Sequence, residues 1–348
     1  SREKRDLPWR KTRDPYKIWV SEIMLQQTQV ATVIPYYKRW LKAFPSLAVL
    51  ARAPFSKALS FWAGLGYYRR VRLFHQAAQK VQREFRGEIP RTAEALRKLP
   101  GIGRYTAGAI ASIAFNEKTP VLDGNVIRIL TRIFAVPHSV DQQKTLEKLW
   151  SMAGALLPDK NPGDFNQALM ELGATVCSPM IPQCARCPVK GECRAHQKGK
   201  ELFYPVRSRK ESYEKIRMAA LTACNGRDEV WLEKQPAESR WGGLWMFPFW
   251  SRTADMLKEI HPLGLKPVLF LKVQHGFTKY RITLEVYRAR LVKKDLLNRP
   301  HGRWRPISRL SGVAFPSPHR KIALALEKKL LESLSLRKSS RARSEKLF

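Results

Sequence analysis

The stretch CSPMIPQCARCPVKGEC, residues 177–193, is the most informative part of this 348-residue chain. It holds four of the five cysteines in the spacing C-x6-C-x2-C-x5-C, namely Cys177, Cys184, Cys187 and Cys193. Four thiolates in one short loop can be the ligands of a single metal centre. Structural zinc usually takes two close ligand pairs, and only one is present, so the spacing favours an iron–sulfur centre and keeps zinc as the alternative. A disulfide framework is disfavoured because the remaining cysteine is Cys224 alone.

The chain is strongly basic: 64 Lys and Arg residues against 29 Asp and Glu give a formal net charge of +35. Such a field attracts polyanions, and binding driven by it depends steeply on salt. Charge alone does not separate this from ribosomal-type binding or from mere solubility. The longest run of low polarity, Tyr105–Phe115, is too short to cross a membrane, and no signal peptide is visible. An oxygen-sensitive cluster and the lack of paired cysteines fit a reducing cytosol, so we expect a cytoplasmic protein associated with the nucleoid.

The length and the hydrophobic fraction of 44% predict a folded protein with two domains. Residues 1–200 predict helices, because amphipathic segments are separated by Pro and Gly and no period-two alternation is sustained. A polar, basic connector over residues 201–215 follows. Examples of the predicted helical segments are Tyr16–Trp40, Pro54–Leu59, Val71–Phe85, Thr92–Leu99, Thr106–Phe115, Val126–Phe134 and Gln142–Leu157.

Beyond the connector the pattern becomes that of a mixed α+β domain, residues 216–335. Met218–Thr222 and Val230–Lys234 predict short strands, and Lys279–Arg290 alternates apolar with polar residues like a strand with one buried face. A last helix is predicted over Pro318–Leu334. The basic tail, residues 336–348, is expected to be disordered.

A glycine-rich turn lies between two of the predicted helices, at Leu99–Gly103. Gly101 and Gly103 let the backbone turn tightly and present N–H groups at the start of the next helix. Such a turn binds phosphate without regard to base sequence. An ordinary helix–helix turn is the alternative for this motif taken alone.

Two carboxylates stand in settings that suit acid–base chemistry. Helical spacing puts Glu22 on the face of Ile18, Leu25 and Gln29, where burial would raise its pKa and let it donate a proton near neutral pH. Asp123 directly precedes a predicted helix and could be a plain N-cap. Cleavage of a glycosidic bond, however, needs an acid for the leaving group and a negative charge beside the developing sugar cation. Glu22 and Asp123 could supply these two roles.

Four further stretches accompany the cysteines: WVSEIMLQQTQVATVIPYY at 19–37, WAGLGYYRR at 62–70, LPGIGRYTAGAI at 99–110 and VLDGNVIRIL at 121–130. Together they resemble the MutY-type adenine DNA glycosylases of the endonuclease III (helix-hairpin-helix) superfamily. The match runs from Leu7 to Cys193 and continues less tightly to about residue 330. It implies a multidomain protein: an all-α helix-hairpin-helix glycosylase domain with a [4Fe-4S] cluster loop, then an α+β Nudix-like domain. The hairpin would be residues 99–110 and the cluster loop 177–193.

The resemblance also implies roles for residues at matching positions. Glu22 would protonate adenine and later help to activate water, Asp123 would stabilise the sugar cation, and Tyr105 and Asn125 would support them. Adenine must be flipped out of the duplex to be reached, and Gln27, Thr28 and Tyr67 would act there. Trp9, Arg10 and Leu25 would line the adenine pocket.

Tyr105 separates this chain from its lyase relatives. Endonuclease III-type enzymes have a lysine here, which forms a Schiff base and cuts the strand, whereas tyrosine cannot form an imine. A monofunctional glycosylase is therefore expected. An oxidised-pyrimidine glycosylase/lyase and a non-catalytic iron–sulfur DNA-binding protein are the alternatives.

The second domain resembles a Nudix fold at Trp241–Pro248, without the carboxylate helix that a nucleotide hydrolase needs. In MutY-type proteins this domain reads 8-oxoguanine through a loop written Phe-Ser-His. The matching residues are Phe277, Thr278 and Lys279, so a mobile cation replaces the imidazole. The expected partner is double-stranded DNA with an 8-oxoguanine:adenine or guanine:adenine mispair. The protein is expected to act as a monomer, away from membranes.

Overall fold

The computed structural model of the protein describes residues 5–208, 213–236, 238–239, 241–277, 280–291 and 301–344. The chain divides into two units. The first holds Ser1–Pro54 and Arg70–Lys210, and the second holds Phe55–Arg69 and Glu211–Phe348. The sequence analysis placed all of residues 1–200 in the first domain, whereas Phe55–Arg69 groups with the second unit.

Helices build the first unit. Asp14 starts its first helix, since Asp14 Oδ1 accepts from the backbone N–H of Tyr16 at 2.9 Å, and Pro15 follows at the first helical position. The α-helices up to residue 197 are, in chain order, α1 (Pro15–Leu25), α2 (Val30–Ala43), α3 (Leu47–Arg52), α4 (Phe55–Trp62), α5 (Arg69–Glu84), α6 (Ala93–Leu96), α7 (Arg104–Phe115), α8 (Gly124–Ile133), α9 (Gln143–Ala155), α10 (Pro162–Thr175) and α11 (Arg194–Gln197). Of these, α4 belongs to the second unit.

The structure differs from the predicted helices in two places. The segment Tyr16–Trp40 is two helices, because the chain turns at Gln26–Gln29 and Gln27 has a φ of 54°, outside the helical range. The helices α3, α10 and α11 lie in the half that was predicted to be helical, but they were not among the segments named from the sequence. The omission of α10 matters for the site, since α10 packs on α7 and α8, and α7 packs on α1.

The second unit is built on a seven-stranded mixed sheet. Its main path runs in the order β3-β2-β1-β6-β5, while β4 pairs with β1 and β7 with β2. The pairing of β1 with β6 is parallel, and the other pairings are antiparallel. The strands are β1 (Glu214–Cys224), β2 (Glu229–Lys234), β3 (Trp245–Met246), β4 (Phe249–Trp250), β5 (Val268–Phe277), β6 (Tyr280–Arg290) and β7 (Gly302–Pro306).

One helix covers each face of this sheet: α12 (Thr253–Ile260) and α13 (Ser317–Ser344). Met256 and Ile260 of α12 pack with Ala219 and Leu221 on one face, while α13 packs on the other. The helix α13 continues to Ser344, where the sequence predicted a disordered tail from residue 336. Arginine, lysine and alanine in that stretch favour helix, and they extend one already started by packing. Within the described part of the chain, no helix is long and apolar enough to cross a membrane.

Candidate active site

The helical unit contains a cavity of about 550 Å³, called here the Glu22 cavity. It opens where α1, α7, α8 and α10 meet the segment before α1. Of the residues singled out from the sequence, nine line it: Glu22, Asp123, Tyr105, Asn125, Trp9, Arg10, Leu25, Gln27 and Thr28. The structure thus brings together residues that are up to 116 positions apart, from Trp9 to Asn125.

Glu22 is buried, with 7% of its surface exposed, and Ile18 and Leu25 of the same helix line the cavity beside it. Tyr105 Oη donates a hydrogen bond to Glu22 Oε2 at 2.7 Å. Burial raises the pKa of Glu22 and the nearby charge of Asp123 adds to this, while the Tyr105 hydrogen bond and Arg10 oppose it. The net effect favours a neutral carboxyl group, which can donate a proton.

Asp123 is the N-cap of α8: its Oδ1 accepts from the backbone N–H of Val126 at 2.7 Å. Its Oδ2 accepts from Asn125 Nδ2 at 3.0 Å. Burial raises the pKa of Asp123 above its ordinary value, and these hydrogen bonds and Arg128 oppose the increase without cancelling it. The capping role and the cavity role are therefore compatible, because donors that cap the helix also favour the carboxylate.

The sequence reasoning missed Arg128, which links this site to the cysteine loop. Its guanidinium donates to Asn125 Oδ1 at 2.8 Å, to the Gly173 carbonyl at 2.7 Å and to the Cys177 carbonyl at 2.7 Å. Gly173 lets α10 approach this closely, since a Cβ there would lie 2.6 Å from Asn125 Cβ. The available signal was an arginine close to the start of the predicted helix Val126–Phe134, five residues after Asp123.

A second missed group comes from α10. Glu171 accepts from Arg10 Nη2 at 3.1 Å and from Arg5 Nε at 2.6 Å, which fixes the segment before α1 at the edge of the cavity. Met170 Sδ lies 3.3 Å from Tyr105 Oη. Trp9 is buried and packs edge-on against Tyr37 at 5.3 Å between ring centroids. These contacts hold Arg10 and Trp9 in the cavity wall.

The turn after α1 presents Gln27 to solvent at the cavity rim. Arg70 stabilises this turn by donating to the carbonyls of Ile23 and Gln26 at 2.7 and 2.6 Å, and to Thr28 Oγ1 at 3.2 Å. These carbonyls belong to the last turn of α1, where a cation is favoured. Arg70 was quoted within a motif, but the sequence did not indicate this role.

The glycine turn joins α6 to α7 as a hairpin. Gly101 has a φ of +78°, and a Cβ there would lie 2.7 Å from Leu73 Cβ, so both conformation and space require glycine. Gly103 is the N-cap of α7, no side chain caps the helix, and the space where its Cβ would be is open. The first amides of α7 are therefore accessible to an anion.

The four cysteines of the loop line one small cavity. The buried Arg132 lies beside them, with Nη1 at 3.3 Å from Cys177 Sγ, and its guanidinium is fixed by the carbonyls of Ser178 and Pro179. Four converging thiols next to a fixed cation fit an anionic, thiolate-ligated centre. Zinc stays possible as well, since Cys184, His196 and Glu201 offer ligand atoms within 4.8 Å of one another.

Three predicted DNA contacts belong to the second unit. Tyr67 has a φ of 48° and is half-buried, whereas its neighbour Tyr68 is buried and donates from its hydroxyl to the Phe315 carbonyl at 3.2 Å. Tyr68 is therefore a packing residue. Phe277 ends β5, and Thr278, like Lys279, lies outside the described residues.

Comparison with known proteins agrees with this architecture. Residues 20–154 match the model of the HhH-GPD superfamily base excision DNA repair proteins, and residues 219–325 match the NUDIX domain. An adenine DNA glycosylase of Buchnera aphidicola (subsp. Schizaphis graminum) is 32% identical over 325 residues, which cover 92% of this chain and 93% of that relative. The chain belongs to the adenine DNA glycosylase family.

Other members of the adenine DNA glycosylase family are longer. The rat protein is 54% identical over 205 residues, which cover 56% of this chain, and the chain spans only 40% of that relative's length. Among solved structures, a thermostable thymine-DNA glycosylase aligns with a TM-score of 0.52 at 31% identity, covering 56% of this chain and 89% of that one. The helical glycosylase domain followed by a Nudix-like domain is thus as the sequence predicted.

Proposed function

We propose that the protein is a base-excision-repair enzyme that hydrolyses the N-glycosidic bond of adenine mispaired with 8-oxoguanine or guanine in DNA. The observation that carries this is the pairing of Glu22 with Tyr105 in the cavity that also holds Asp123. Family membership supports adenine as the base that is removed. The cavity, at about 550 Å³, falls in the size range of sites that hold a base-sized group.

Glu22 is the proposed acid. Burial raises the pKa of Glu22 and so favours its protonated form, which can give a proton to a nitrogen of the flipped adenine. A protonated adenine leaves more easily, since no full negative charge develops on the departing base. Glu22, now ionised and held by the Tyr105 hydroxyl, can then take a proton from the attacking water.

Asp123 is the proposed stabiliser of the sugar cation. Its carboxyl group is held by Val126 N–H and by Asn125, which oppose the pKa increase caused by burial and fix its direction. A fixed negative charge beside the developing oxocarbenium ion lowers the barrier without proton transfer. Water then completes the hydrolysis and leaves an abasic site.

The proposed enzyme is monofunctional. Tyr105 occupies the position of the lyase lysine, and no lysine is among the described residues that line the Glu22 cavity. Without an amine there, no Schiff base to the sugar can form. Treatment of the reaction with borohydride should therefore trap no protein–DNA adduct, and a trapped adduct would show that this assignment is wrong.

DNA handling is proposed for several further groups. The amides at Gly101 and Gly103 would bind a backbone phosphate, and the exposed Gln27, with Tyr67, would fill the gap left by the flipped adenine. Phe277 and Thr278 would contact the opposite 8-oxoguanine. The proposed setting is a monomer on the nucleoid in the cytoplasm.

A [4Fe-4S] cluster on Cys177, Cys184, Cys187 and Cys193 is the proposed metal centre, in agreement with the converging thiols beside Arg132. Such a cluster supplies a rigid link within the loop and a one-electron redox couple. Iron, sulfide and zinc analysis of the purified protein tests the assignment. Four irons per chain are expected, and one zinc would favour the alternative.

The deciding experiment is single-turnover release of adenine from duplexes with one 8-oxoguanine:adenine, guanine:adenine or thymine:adenine pair. We expect release from the first two and little from the third. Equal rates for the first two would show that Phe277, Thr278 and Lys279 do not discriminate the lesion. A protein that binds DNA with its metal centre intact but releases no adenine would be the non-catalytic binder.

A further inference from the structure

The loop that carries Tyr67 joins α4 to α5 and belongs to the second unit; residues 63–68 are called here the Tyr67 loop. Three of its residues have a left-handed backbone: Gly64, Gly66 and Tyr67 have φ values of 96°, 78° and 48°. Glycine adopts such values freely, but a bulky residue does so only where its surroundings hold it there. Contacts around the loop must therefore fix the backbone of Tyr67.

The hydroxyl of Tyr68 makes two of these contacts. It accepts from the backbone N–H of Gly64 at 3.1 Å and donates to the carbonyl of Phe315 at 3.2 Å. Tyr68 is buried, so both bonds are shielded from water. Within the loop, Trp62 Nε1 donates to the Gly66 carbonyl at 3.1 Å. One buried hydroxyl thus connects the loop backbone to the segment that precedes α13.

The first turn of α13 contacts both the loop and the strand β5. Ser317, the first residue of α13, donates from Oγ to the Gly64 carbonyl at 3.2 Å. One helical turn later, Lys321 Nζ donates to the carbonyl of Gln274 in β5 at 3.3 Å. Residues four positions apart lie on the same face of a helix. This face of α13 therefore joins the loop to the strand that ends at a proposed lesion contact.

The loop and β5 also share one hydrophobic core. Phe315 and Val273 of β5 are buried in the same cluster, and Phe315 stacks on Phe247 with ring centroids 5.5 Å apart. His319 of α13 accepts from the Phe247 N–H at 3.1 Å. Burial lowers the pKa of His319 to about 3, so near neutral pH the ring is uncharged and keeps this bond. A close-packed core transmits strain, so the loop and the strand are held as one body.

This support lies where a wedge needs it. A side chain that fills the gap left by a flipped base is pressed by the bases above and below it. Tyr67 is half-buried, so part of its ring is accessible to DNA. The bonds at Gly64 and Tyr68 flank Tyr67 on both sides. They therefore fix the direction in which its side chain leaves the backbone.

We propose that Tyr68 and Ser317 are positioning residues that hold Tyr67 in register with the lesion contact on β5, so that contact with 8-oxoguanine assists the flipping of the opposite adenine. This inference rests on the proposed function, in which Tyr67 enters the base stack and Phe277 contacts the lesion. Loss of either hydroxyl should weaken flipping. It should also reduce the advantage of an 8-oxoguanine:adenine pair over a guanine:adenine pair.

The test uses two matched pairs of variants in the full chain, with the fold checked by thermal melting. Tyr68→Phe removes one hydroxyl, and its control Tyr287→Phe removes a hydroxyl of β6 that bonds Glu285 at 3.4 Å. Ser317→Ala removes the other hydroxyl, and Ser317→Thr keeps it. Flipping is measured from the fluorescence of 2-aminopurine placed opposite 8-oxoguanine or guanine, with Glu22→Gln in every sample to block chemistry. Single-turnover adenine release is measured separately, without Glu22→Gln.

Tyr68→Phe and Ser317→Ala should each lower the flipping signal and the rate of release opposite 8-oxoguanine by about three- to tenfold. The ratio of the 8-oxoguanine rate to the guanine rate should fall with them. Tyr287→Phe and Ser317→Thr should stay within about twofold of the parent on every measure. Partial unfolding lowers the amplitude of a single-turnover reaction and not its rate. Unchanged rates with a lower amplitude would therefore make the two hydroxyls merely structural and overturn the inference.

Two further outcomes are decisive. Equal falls opposite 8-oxoguanine and opposite guanine would overturn the connection between the wedge and the lesion contact. A parent that releases no adenine would overturn the proposed function. The fluorescence comparison needs no chemistry, so it still decides this inference in that case: unchanged flipping in Tyr68→Phe and Ser317→Ala would show it to be wrong.

Discussion

The Glu22 cavity and a cavity of about 590 Å³ in the second unit use charged side chains in opposite ways. The second is called here the Arg288 cavity, and the cations that line it are Arg288, Arg290, Lys266 and Lys329. In the first, each carboxylate named as catalytic has fixed donors: Tyr105 for Glu22, and Asn125 with a backbone N–H for Asp123. In the second, cations line a more open space and no carboxylate in the described structure pairs with them. Hydrogen bonds within the first cavity influence the protonation of its carboxyl groups, which suits catalysis. Cations that have no carboxylate partner suit the binding of an anion. Four predictions can break or sharpen this comparison.

The largest effect is expected for Glu22→Gln. Glutamine can keep a hydrogen bond with Tyr105 but cannot donate the proton, so single-turnover adenine release should fall by about 10²–10⁴-fold. Affinity for the mispaired duplex, measured by fluorescence anisotropy, should change little. Unchanged release would remove Glu22 from the reaction and leave the cavity with binding alone.

Arg128, which donates to Asn125 behind the Glu22 cavity, and Arg288 should differ in what they contribute to stability. Arg128→Gln leaves buried carbonyls of Gly173 and Cys177 without their donor, and should lower the free energy of unfolding by about 2–4 kcal/mol. Arg288→Gln should cost less than about 1 kcal/mol, as a half-buried side chain at a cavity mouth does. Urea denaturation of both variants measures the difference. Similar losses would mean that Arg288 is structural.

Tyr105→Phe tests how the Glu22 proton is held. The Tyr105 hydrogen bond lowers the pKa of Glu22, so its removal should raise that pKa further. The active form carries the proton, and adenine release declines as pH rises through the pKa. The decline should therefore move to higher pH, with a rate at neutral pH that changes by less than about tenfold. A pH–rate profile under single-turnover conditions measures this, and movement to lower pH would contradict it.

The smallest effect concerns the hairpin, which is a proposed anion site. Gly103→Ala puts a methyl group into open space over the first amides of α7, and should weaken duplex binding a few-fold without changing the melting temperature. Its matched variant is Gly101→Ala, which meets Leu73 and a positive φ and should cost about 1–3 kcal/mol of stability. If Gly103→Ala binds DNA as the parent does, the amides do not hold phosphate.

Local patterns predicted the helical half and the strands at Val230–Lys234 and Lys279–Arg290 well, because periodicity there follows one buried face. These patterns did not predict the local structure where contacts with other parts of the fold determine it. The turn at Gln26–Gln29 interrupts an apolar pattern that would otherwise continue, and Arg70 from another helix stabilises it. Helix α10 was not among the segments named from the sequence, although it supplies Met170 to the Glu22 cavity and holds Arg10 through Glu171.

By itself the sequence determined the cysteine spacing, the glycine turn, the charge, and the presence of Glu22 and Asp123 in motifs that belong to one family. These are properties of residues close together in the chain, where covalent spacing limits what can form. Only the tertiary structure decided that Arg128 joins Asn125 to the carbonyl of Cys177, and that Arg70 stabilises the turn after α1. Such contacts join residues far apart in sequence, and their energies depend on burial, which exists only after the chain has folded.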